Sequence, residues 1–287
     1  MKITGKQLTE LHEKLLEILK FFKKYCNENE LRFFLAFGSC LGAVRDKGFI
    51  PWDDDVDIIM PPEDYKKLKA LWKPGEVIEH YTLCDSTNNY CDGHLELTIR
   101  DNETTYITNG DLNLDTHHGI MVEITPLSYS PDNLLLRYWQ TINACIYAIY
   151  RVQRTPNTGG FIQKSITKLA LRLVPRKEKR YATWKKAEKY ILTLPSKKSN
   201  YFRVFGQFHT LKRYYPIELF EEVVWLPFED TEMPVPVGYK EYLTLLYGEY
   251  IIPPPKEKQI PDHEVIFLDC NNSYIKYRGE KYLNDNK

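Results

Sequence analysis

The chain has 287 residues and no net charge, and its 43% hydrophobic and 14% aromatic content is typical of a folded globular protein, which excludes a disordered chain. No run of about 18 apolar residues occurs, so no membrane-spanning helix is predicted. The first residues lack the segments of a secretory signal and the six cysteines form no CxxC pair, so we expect a cytoplasmic protein.

Hydrophobic spacing predicts the secondary structure of the first half of the chain. The predicted elements are, in chain order, a helix over residues 7–25, a strand over 31–37, a helical turn over 40–45, a strand over 55–60, a helix over 63–72 and strands over 94–100 and 120–125. This order favours an α+β fold in which a mixed sheet is flanked by helices.

Two long stretches in the middle of the chain, 134–154 and 161–177, combine helical spacing with aromatic and basic residues and predict a helical insertion. The last third returns to strand and turn patterns, with prolines that favour extended connections. We therefore expect a core over 1–130, a basic amphipathic helical insertion over 131–200, and a C-terminal segment over 201–287 that completes the cleft of this core.

The predicted insertion concentrates positive charge. Between Arg151 and Lys198 there are fourteen Lys and Arg residues against Glu178 and Glu188, a net charge of +12. Aromatic and aliphatic residues precede this run: Leu134, Leu135, Leu136, Tyr138, Trp139, Ile142, Ile146, Tyr147 and Ile149. Together they predict peripheral contact with the inner face of an anionic membrane. Two alternatives stay open: the helices pack on the core with their charges in solvent, or they bind nucleic acid, although no nucleic-acid partner is expected.

An acidic run enters the second predicted strand. Alternation along a strand places Asp55 and Asp57 on one face with Asp53 behind them, while Val56 and Ile58 point into the core. Carboxylates this close repel each other, and a divalent cation removes the repulsion. Hard oxygen ligands select Mg²⁺ or Mn²⁺, which in turn indicate a phosphorylated substrate. The alternative is a solvated acidic turn at the entrance of the strand.

Two further features complete the predicted site. Gly38 and Ser39 form a turn after a buried strand, where backbone N–H groups and a hydroxyl can bind phosphate oxygens. Glu123 is a lone acid in an otherwise apolar strand and is predicted to be the third metal ligand, unless it forms a salt bridge with a Lys or Arg.

A looser group of possible metal ligands consists of Cys84, Cys91 and His94, with His117 or His118 as a fourth member. Their spacing is irregular, so unrelated loop residues are favoured over a zinc site.

The segments over 37–45 and 48–58, FGSCLGAVR and GFIPWDDDVDI, closely resemble the motif of the LicD family, to which the fukutin-type proteins are related. Other positions fit the same family: residues 98–104, 122–127 and 242–250, and His263. The resemblance covers roughly residues 8–127 and 235–264. It departs from the family pattern where the usual later Asp and Phe are Glu123 and Thr125, which leaves the position of the third ligand open.

The resemblance implies a polymerase-beta-like nucleotidyltransferase fold and a phosphotransferase activity. Family members transfer phosphocholine or a related phospho-alcohol from a CDP-activated donor to a sugar hydroxyl on bacterial cell-surface polysaccharides. We therefore expect CDP-choline or a related CDP-alcohol as donor, a glycan or lipid-linked glycan such as a lipopolysaccharide or teichoic acid precursor as acceptor, and CMP as product. The alternatives are a nucleotidyltransferase that releases pyrophosphate and a catalytically silent protein that binds a nucleotide or sugar.

In this interpretation Asp55, Asp57 and Glu123 hold one or two Mg²⁺ or Mn²⁺ ions, and Asp53 is the candidate general base. The remaining candidates for substrate binding are Gly38, Ser39, Arg45, Trp52, Arg100, Tyr247 and His263. Arg45 and Arg100 neutralise charge in the transition state or form structural ion pairs instead. His263 contacts the donor or acceptor, or is a structural histidine.

Overall fold

The computed structural model describes residues 3–153, 161–193, 199–205 and 210–284. The predicted basic segment extends beyond these ranges, because Arg154, Lys197 and Lys198 lie outside the described residues. No helix within the described ranges is both long and apolar enough to cross a membrane.

The described residues confirm an α+β fold. The α-helices are α1 (Lys6–Glu28), α2 (Phe37–Arg45), α3 (Pro62–Leu71), α4 (Leu134–Val152), α5 (Phe161–Leu173), α6 (Lys177–Leu192) and α7 (Tyr239–Tyr247). The strands are β1 (Phe34–Leu35), β2 (Asp57–Met60), β3 (Val77–Ile78), β4 (Tyr81–Cys84), β5 (Leu97–Asp101), β6 (Thr105–Thr108), β7 (Met121–Pro126), β8 (Ser128–Tyr129), β9 (Tyr201–Arg203), β10 (Tyr215–Pro216), β11 (Val223–Phe228), β12 (Thr231–Pro236) and β13 (Val265–Asp269).

A six-stranded mixed sheet organises the core, with the strand order β1-β2-β7-β5-β4-β3. Strands β2 and β7 are parallel, and the other neighbouring pairs are antiparallel. The register of the parallel pair places Asp57 opposite Glu123. Because residues opposite each other on neighbouring strands point to the same face of a sheet, the two acidic side chains are neighbours.

Helix α1 covers part of this sheet because it presents one apolar stripe. Leu11, Leu15 and Ile18 recur at helical spacing and are completely or almost completely buried. Burying a side chain of this size stabilises the fold by about 1.5–3 kcal/mol. Contacts of α1 with β5 and β7 therefore fix the strand that carries Glu123.

Helices α4 and α6 form a second, smaller apolar cluster after β8. The rings of Tyr147 and Trp184 pack edge to face within it, with centroids 6.0 Å apart. Helix α4 begins at a defined residue because the Asn133 side chain accepts hydrogen bonds from the N–H groups of Leu135 and Leu136. The predicted helices over 134–154 and 161–177 correspond to α4 and α5.

The chain after residue 210 returns to the main core. Strands β11 and β12 form a hairpin that contacts β1, helix α7 contacts α2, and β13 pairs with β6. The hydroxyl of Tyr242 on α7 accepts a hydrogen bond from the N–H of Phe37. These contacts place the C-terminal segment beside the start of α2.

Strand boundaries near the acidic run differ from the prediction. The strand predicted over 31–37 is only Phe34–Leu35, because Phe37 turns the chain into α2 with a φ of 42°. The strand predicted over 55–60 begins only at Asp57, but the predicted alternation extends before it: Val56 and Ile58 are buried, whereas Asp53, Asp55 and Asp57 are partly exposed. Asp54 has the parity of Val56 and Ile58 and is also buried, and its carboxylate accepts backbone hydrogen bonds from the C-terminal segment.

Candidate active site

Ser39 lies near the start of α2 and connects that helix to β2. Its hydroxyl oxygen accepts a hydrogen bond of 3.0 Å from the N–H of Asp57, and the side chain is buried. The adjoining residue, Gly38, lies against the acidic loop, since a Cβ at this position would be 2.7 Å from Oδ2 of Asp53. Glycine therefore permits the close approach of α2 to this carboxylate.

Four carboxylates lie close together beside these two residues. Asp57 and Glu123 are opposite each other on β2 and β7, and Asp53 and Asp55 occupy the loop before β2. Burial and repulsion from Asp55 raise the pKa of Asp53 to about 9. Burial also raises the pKa of Asp55 to about 6, although His263 opposes the increase. The pKa of Asp57 is raised well above its ordinary value by burial and by Asp55 and Glu123. The cluster therefore holds more negative charge than its protein surroundings neutralise.

Glu123 differs from the other three acids. Burial raises its pKa, but attraction to His94, His263 and Arg100 outweighs burial and lowers the pKa below its ordinary value. Nδ1 of His94 lies 3.8 Å from Oε1 of Glu123. The alternative predicted for Glu123 was a salt bridge with a Lys or Arg. In the structure the neighbouring basic residue is a histidine, His94.

The donor set fits a divalent cation held by two carboxylates. In the described part of the chain no three His, Cys, Asp or Glu side chains are arranged around one point as ligands, so Asp55, Asp57 and Glu123 do not form a finished three-ligand site. Mg²⁺ typically takes one or two carboxylates and completes its shell with water and substrate phosphates. Asp55 and Asp57 supply hard oxygen ligands beside an open cleft, with Glu123 adjacent.

The looser group of Cys and His residues does not come together. His117 contacts the Asn102 side chain, His118 contacts the carbonyl of Leu114, and His94 is directed to Glu123. Unrelated loop residues, the favoured interpretation, agree with this arrangement.

Asp54 has a structural contact that the sequence did not reveal. It is buried, and its carboxylate accepts hydrogen bonds from the N–H groups of Asp262 and His263 at 3.3 and 3.2 Å. Nδ1 of His263 lies 3.0 Å from Oδ1 of Asp54 and 3.9 Å from Oδ2 of Asp55. Burial lowers the pKa of His263, but these carboxylates raise it to about 10. His263 is therefore a cation that fixes the C-terminal segment against the acidic loop.

An open cleft of about 580 Å³ lies between the acidic loop and the C-terminal segment. It collects most of the predicted site residues: Gly38, Arg45, Trp52, Asp53, Asp55, Asp57 and Tyr247. Tyr250, Glu249, Lys258 and Asp262 also line the cleft and were not predicted. Glu123 and His263 line a smaller cavity next to Asp55.

The two predicted arginines occupy different environments. Arg45 faces the cleft, where its guanidinium forms an ion pair with Asp46 at 2.8 Å and lies 5.6 Å from the centre of the Trp52 ring. Arg100 is buried outside the residues that line the cleft and pairs with Asp92 at 3.4 Å. For Arg100 the structural ion pair, which the sequence left open, is the observed arrangement.

His94 and Glu96 lie beside the carboxylates, although the sequence placed His94 only in the looser group of possible metal ligands and did not identify Glu96. They precede β5, which begins at Leu97 rather than at residue 94 as predicted. Burial and repulsion from Glu123 raise the pKa of Glu96 well above its ordinary value. No motif marks these residues, because their position depends on the fold of a distant helix.

Comparisons with known proteins agree with the motif. Residues 30–106 match the family model described as LicD/FKTN/FKRP, nucleotidyltransferase domain. A Haemophilus influenzae protein named lipopolysaccharide cholinephosphotransferase LicD is 30% identical over 275 residues, which cover 90% of this chain and 97% of that protein. An uncharacterized protein of Rickettsia prowazekii is 29% identical over 90 residues, or 31% of this chain and 32% of that protein.

Proposed function

Because the chain belongs to the LicD family, we propose that this phosphotransferase moves a phospho-alcohol, most simply phosphocholine, from a CDP-activated donor to a sugar hydroxyl and releases CMP. The acceptor we propose is a glycan or lipid-linked glycan, such as a lipopolysaccharide or teichoic acid precursor. The Haemophilus relative supports this choice, since its name specifies choline phosphate transfer and lipopolysaccharide.

One observation carries the proposal. Three carboxylates, those of Asp53, Asp55 and Asp57, line one open cleft together with Gly38 at the start of α2. A diphosphate can lie there between backbone N–H groups and the carboxylates once positive charge enters the cleft. A bound Mg²⁺ or Mn²⁺ ion would supply that charge and neutralise the donor diphosphate.

The side chains then orient and deprotonate the acceptor. We propose that Asp53 accepts the proton of the sugar hydroxyl as the hydroxyl attacks the β-phosphorus of the donor and the bond to CMP breaks. With its pKa raised to about 9, the carboxyl group of Asp53 is protonated at pH 7, so this role requires the positive charge of a bound cation to lower that pKa. Arg45 lies in the same cleft and can stabilise negative charge on the leaving CMP.

The cleft also offers groups that suit a quaternary ammonium. Trp52, Tyr247 and Tyr250 present aromatic rings, and Glu249 and Asp262 add negative charge. Trimethylammonium groups bind over aromatic faces through cation–π attraction. We therefore propose choline as the preferred alcohol.

The test uses the full chain with Mg²⁺ and an acceptor glycan. CDP-choline, CDP-glycerol and CDP-ribitol are compared for CMP release, and CTP is compared for pyrophosphate release. We expect CMP from CDP-choline and none from the Asp57→Asn variant. Pyrophosphate from CTP would instead favour the nucleotidyltransferase, and binding of a nucleotide without turnover would favour the silent binding protein.

We also propose that the insertion contacts an anionic membrane. Large apolar side chains on α4 and α5 are exposed, with 76% of Leu135, 62% of Tyr138, 87% of Phe161 and 72% of Leu173 accessible to solvent. Exposed apolar surface of this kind beside basic residues suits the headgroup region of a bilayer. Basic residues near such a surface contribute about 1 kcal/mol each at low salt.

Flotation with liposomes tests this contact. The protein should rise with phosphatidylserine vesicles at low salt, rise less at high salt, and stay down with neutral vesicles. Replacing Leu135 and Tyr138 by Ser should reduce flotation, whereas the control Ile275→Ser, at a 67% exposed residue outside the insertion, should not. Failure to float under every condition, or equal loss in the control, would favour helices that pack on the core with their charges in solvent.

A further inference from the structure

The insertion contacts the backbone just before β5 through one helix. Nε of Arg151 donates a hydrogen bond of 3.2 Å to the carbonyl of His94. The hydroxyl of Tyr147 donates one of 2.9 Å to the carbonyl of Leu95. Nη2 of Arg151 donates a third, of 2.9 Å, to the carbonyl of Glu96. Three consecutive carbonyl oxygens are thus held by two side chains of α4, which fixes the path of this segment.

The segment that α4 holds faces the catalytic carboxylates. Nδ1 of His94 lies 3.8 Å from Oε1 of Glu123, and Glu123 is opposite Asp57 in the sheet. Glu96 lies two residues before Thr98, which is opposite Glu123 in the sheet. A shift of this backbone would change the distance of both side chains from Glu123, and misplacement by about 1 Å at a reacting centre can cost 100-fold in rate.

Arg151 is held rigidly enough to set this position. It is completely buried, and its Nη1 forms an ion pair of 2.5 Å with Asp85, which also binds Nζ of Lys69 at 2.6 Å. Buried ion pairs of this kind are often no more stable than apolar side chains of equal volume. Packing alone therefore does not explain why an arginine occupies position 151. Its two hydrogen bonds to the carbonyls of His94 and Glu96 do explain it.

We infer that Arg151 and Tyr147 are positioning residues, which hold His94 and Glu96 at a set distance from Glu123 and make the insertion part of the active-site framework. The inference rests on the proposed function of the cleft. It assigns the insertion a role in turnover that is separate from membrane contact.

A double-mutant cycle tests it. Arg151→Met removes both backbone donors and should lower kcat with CDP-choline at least about tenfold while KM for the donor changes less than about twofold, because the donor cleft is lined by other residues. In a His94→Ala background the same substitution should have a smaller effect, since one of the two side chains through which it acts is gone. Equal losses in both backgrounds would overturn the inference.

Two more variants separate positioning from folding. Arg180 is a matched control, because its Nε and Nη2 donate to the carbonyls of Val174 and Leu171 at the end of α5, away from the site. Arg180→Met should change the melting temperature without changing kcat. Tyr147→Phe removes only a hydroxyl, so it should fold even if Arg151→Met does not, and should lower kcat in the same sense.

A spectroscopic measurement keeps the inference independent of the substrate. With ¹⁵N-labelled histidine, the His94 ring resonances should shift in Arg151→Met and Tyr147→Phe but not in Arg180→Met. Unchanged His94 resonances would overturn the inference. If the wild-type protein releases no CMP from any donor, the proposed function fails, while this measurement still decides whether α4 positions His94.

Discussion

Adjacent acids in the run over 53–57 should have opposite effects on stability. Asp54→Ala leaves two partly buried N–H groups of the C-terminal segment without their acceptor and removes the carboxylate nearest to His263. Asp55→Ala removes the same charge one residue further on, where burial and neighbouring acids already raise the pKa of the carboxyl group. The first variant should destabilise the protein, and the second should leave stability unchanged or increase it.

The magnitude follows from the contacts of Asp54. Each hydrogen bond to a charged group contributes about 1.5–3 kcal/mol, and removing one partner of a buried pair costs about 3–5 kcal/mol. Two of the three bonds are long, at 3.2 and 3.3 Å, and 38% of the His263 side chain is exposed. We therefore expect a loss near the lower limit, about 3 kcal/mol, or a fall in Tm on the order of 10 °C.

Urea and thermal unfolding of both variants in EDTA at pH 7 measure the difference. The loss of unfolding free energy in Asp54→Ala should become smaller as the pH rises from about 6.5 towards 10. Asp54 raises the pKa of His263, so the attraction between the two groups stabilises the fold fully only at the lower pH, where His263 is a cation. A change below about 0.5 kcal/mol in Asp54→Ala, or an equal loss in Asp55→Ala, would refute the assignment of Asp54 as the contact that holds the C-terminal segment.

Three further outcomes are expected. Asp57→Asn should abolish CMP release yet raise Tm in EDTA, because it relieves repulsion from Asp55 and Glu123; retained turnover would contradict the assigned role. Gly38→Ala should reduce turnover at least about tenfold with little change in Tm, because its Cβ would displace the flexible end of Asp53; unchanged kinetics would contradict the close approach. In EDTA, Tm should fall from pH 5 to 9, because native Asp53 and Asp55, with pKa values of about 9 and 6, retain protons that the unfolded chain releases near pH 4. Added Mg²⁺ should make this decline shallower, and a Tm that rises with pH would contradict it.

The sequence predicted the core well where the information is local. Hydrophobic spacing predicted helix α1, which buries Leu11, Leu15 and Ile18, and the motif around Gly38 and Asp57 identified the cleft. The sequence also predicted that Glu123 lies beside the acidic run, because an acid in an apolar strand needs a polar or charged partner. In the structure β7 is the parallel neighbour of β2, and Glu123 is opposite Asp57.

What the sequence did not predict depends on contacts between distant residues. Asp54 looks like any other member of the acidic run, and its partners are backbone N–H groups of Asp262 and His263, more than two hundred positions later. Similarly, Arg151 belongs to a run of basic residues, yet it is completely buried and donates to carbonyls more than fifty positions earlier. Composition and periodicity describe one segment at a time and do not identify such partners.

Phosphate tracing tests the central claim most directly. A CDP-choline donor carrying ³²P only in the phosphate next to choline is incubated with the protein, Mg²⁺ and an acceptor glycan, and the products are separated. Attack at the β-phosphorus predicts label on the glycan and unlabelled CMP, with no transfer by Asp57→Asn. Label that stays with the nucleotide, or a glycan that gains the nucleotide instead, would contradict the account.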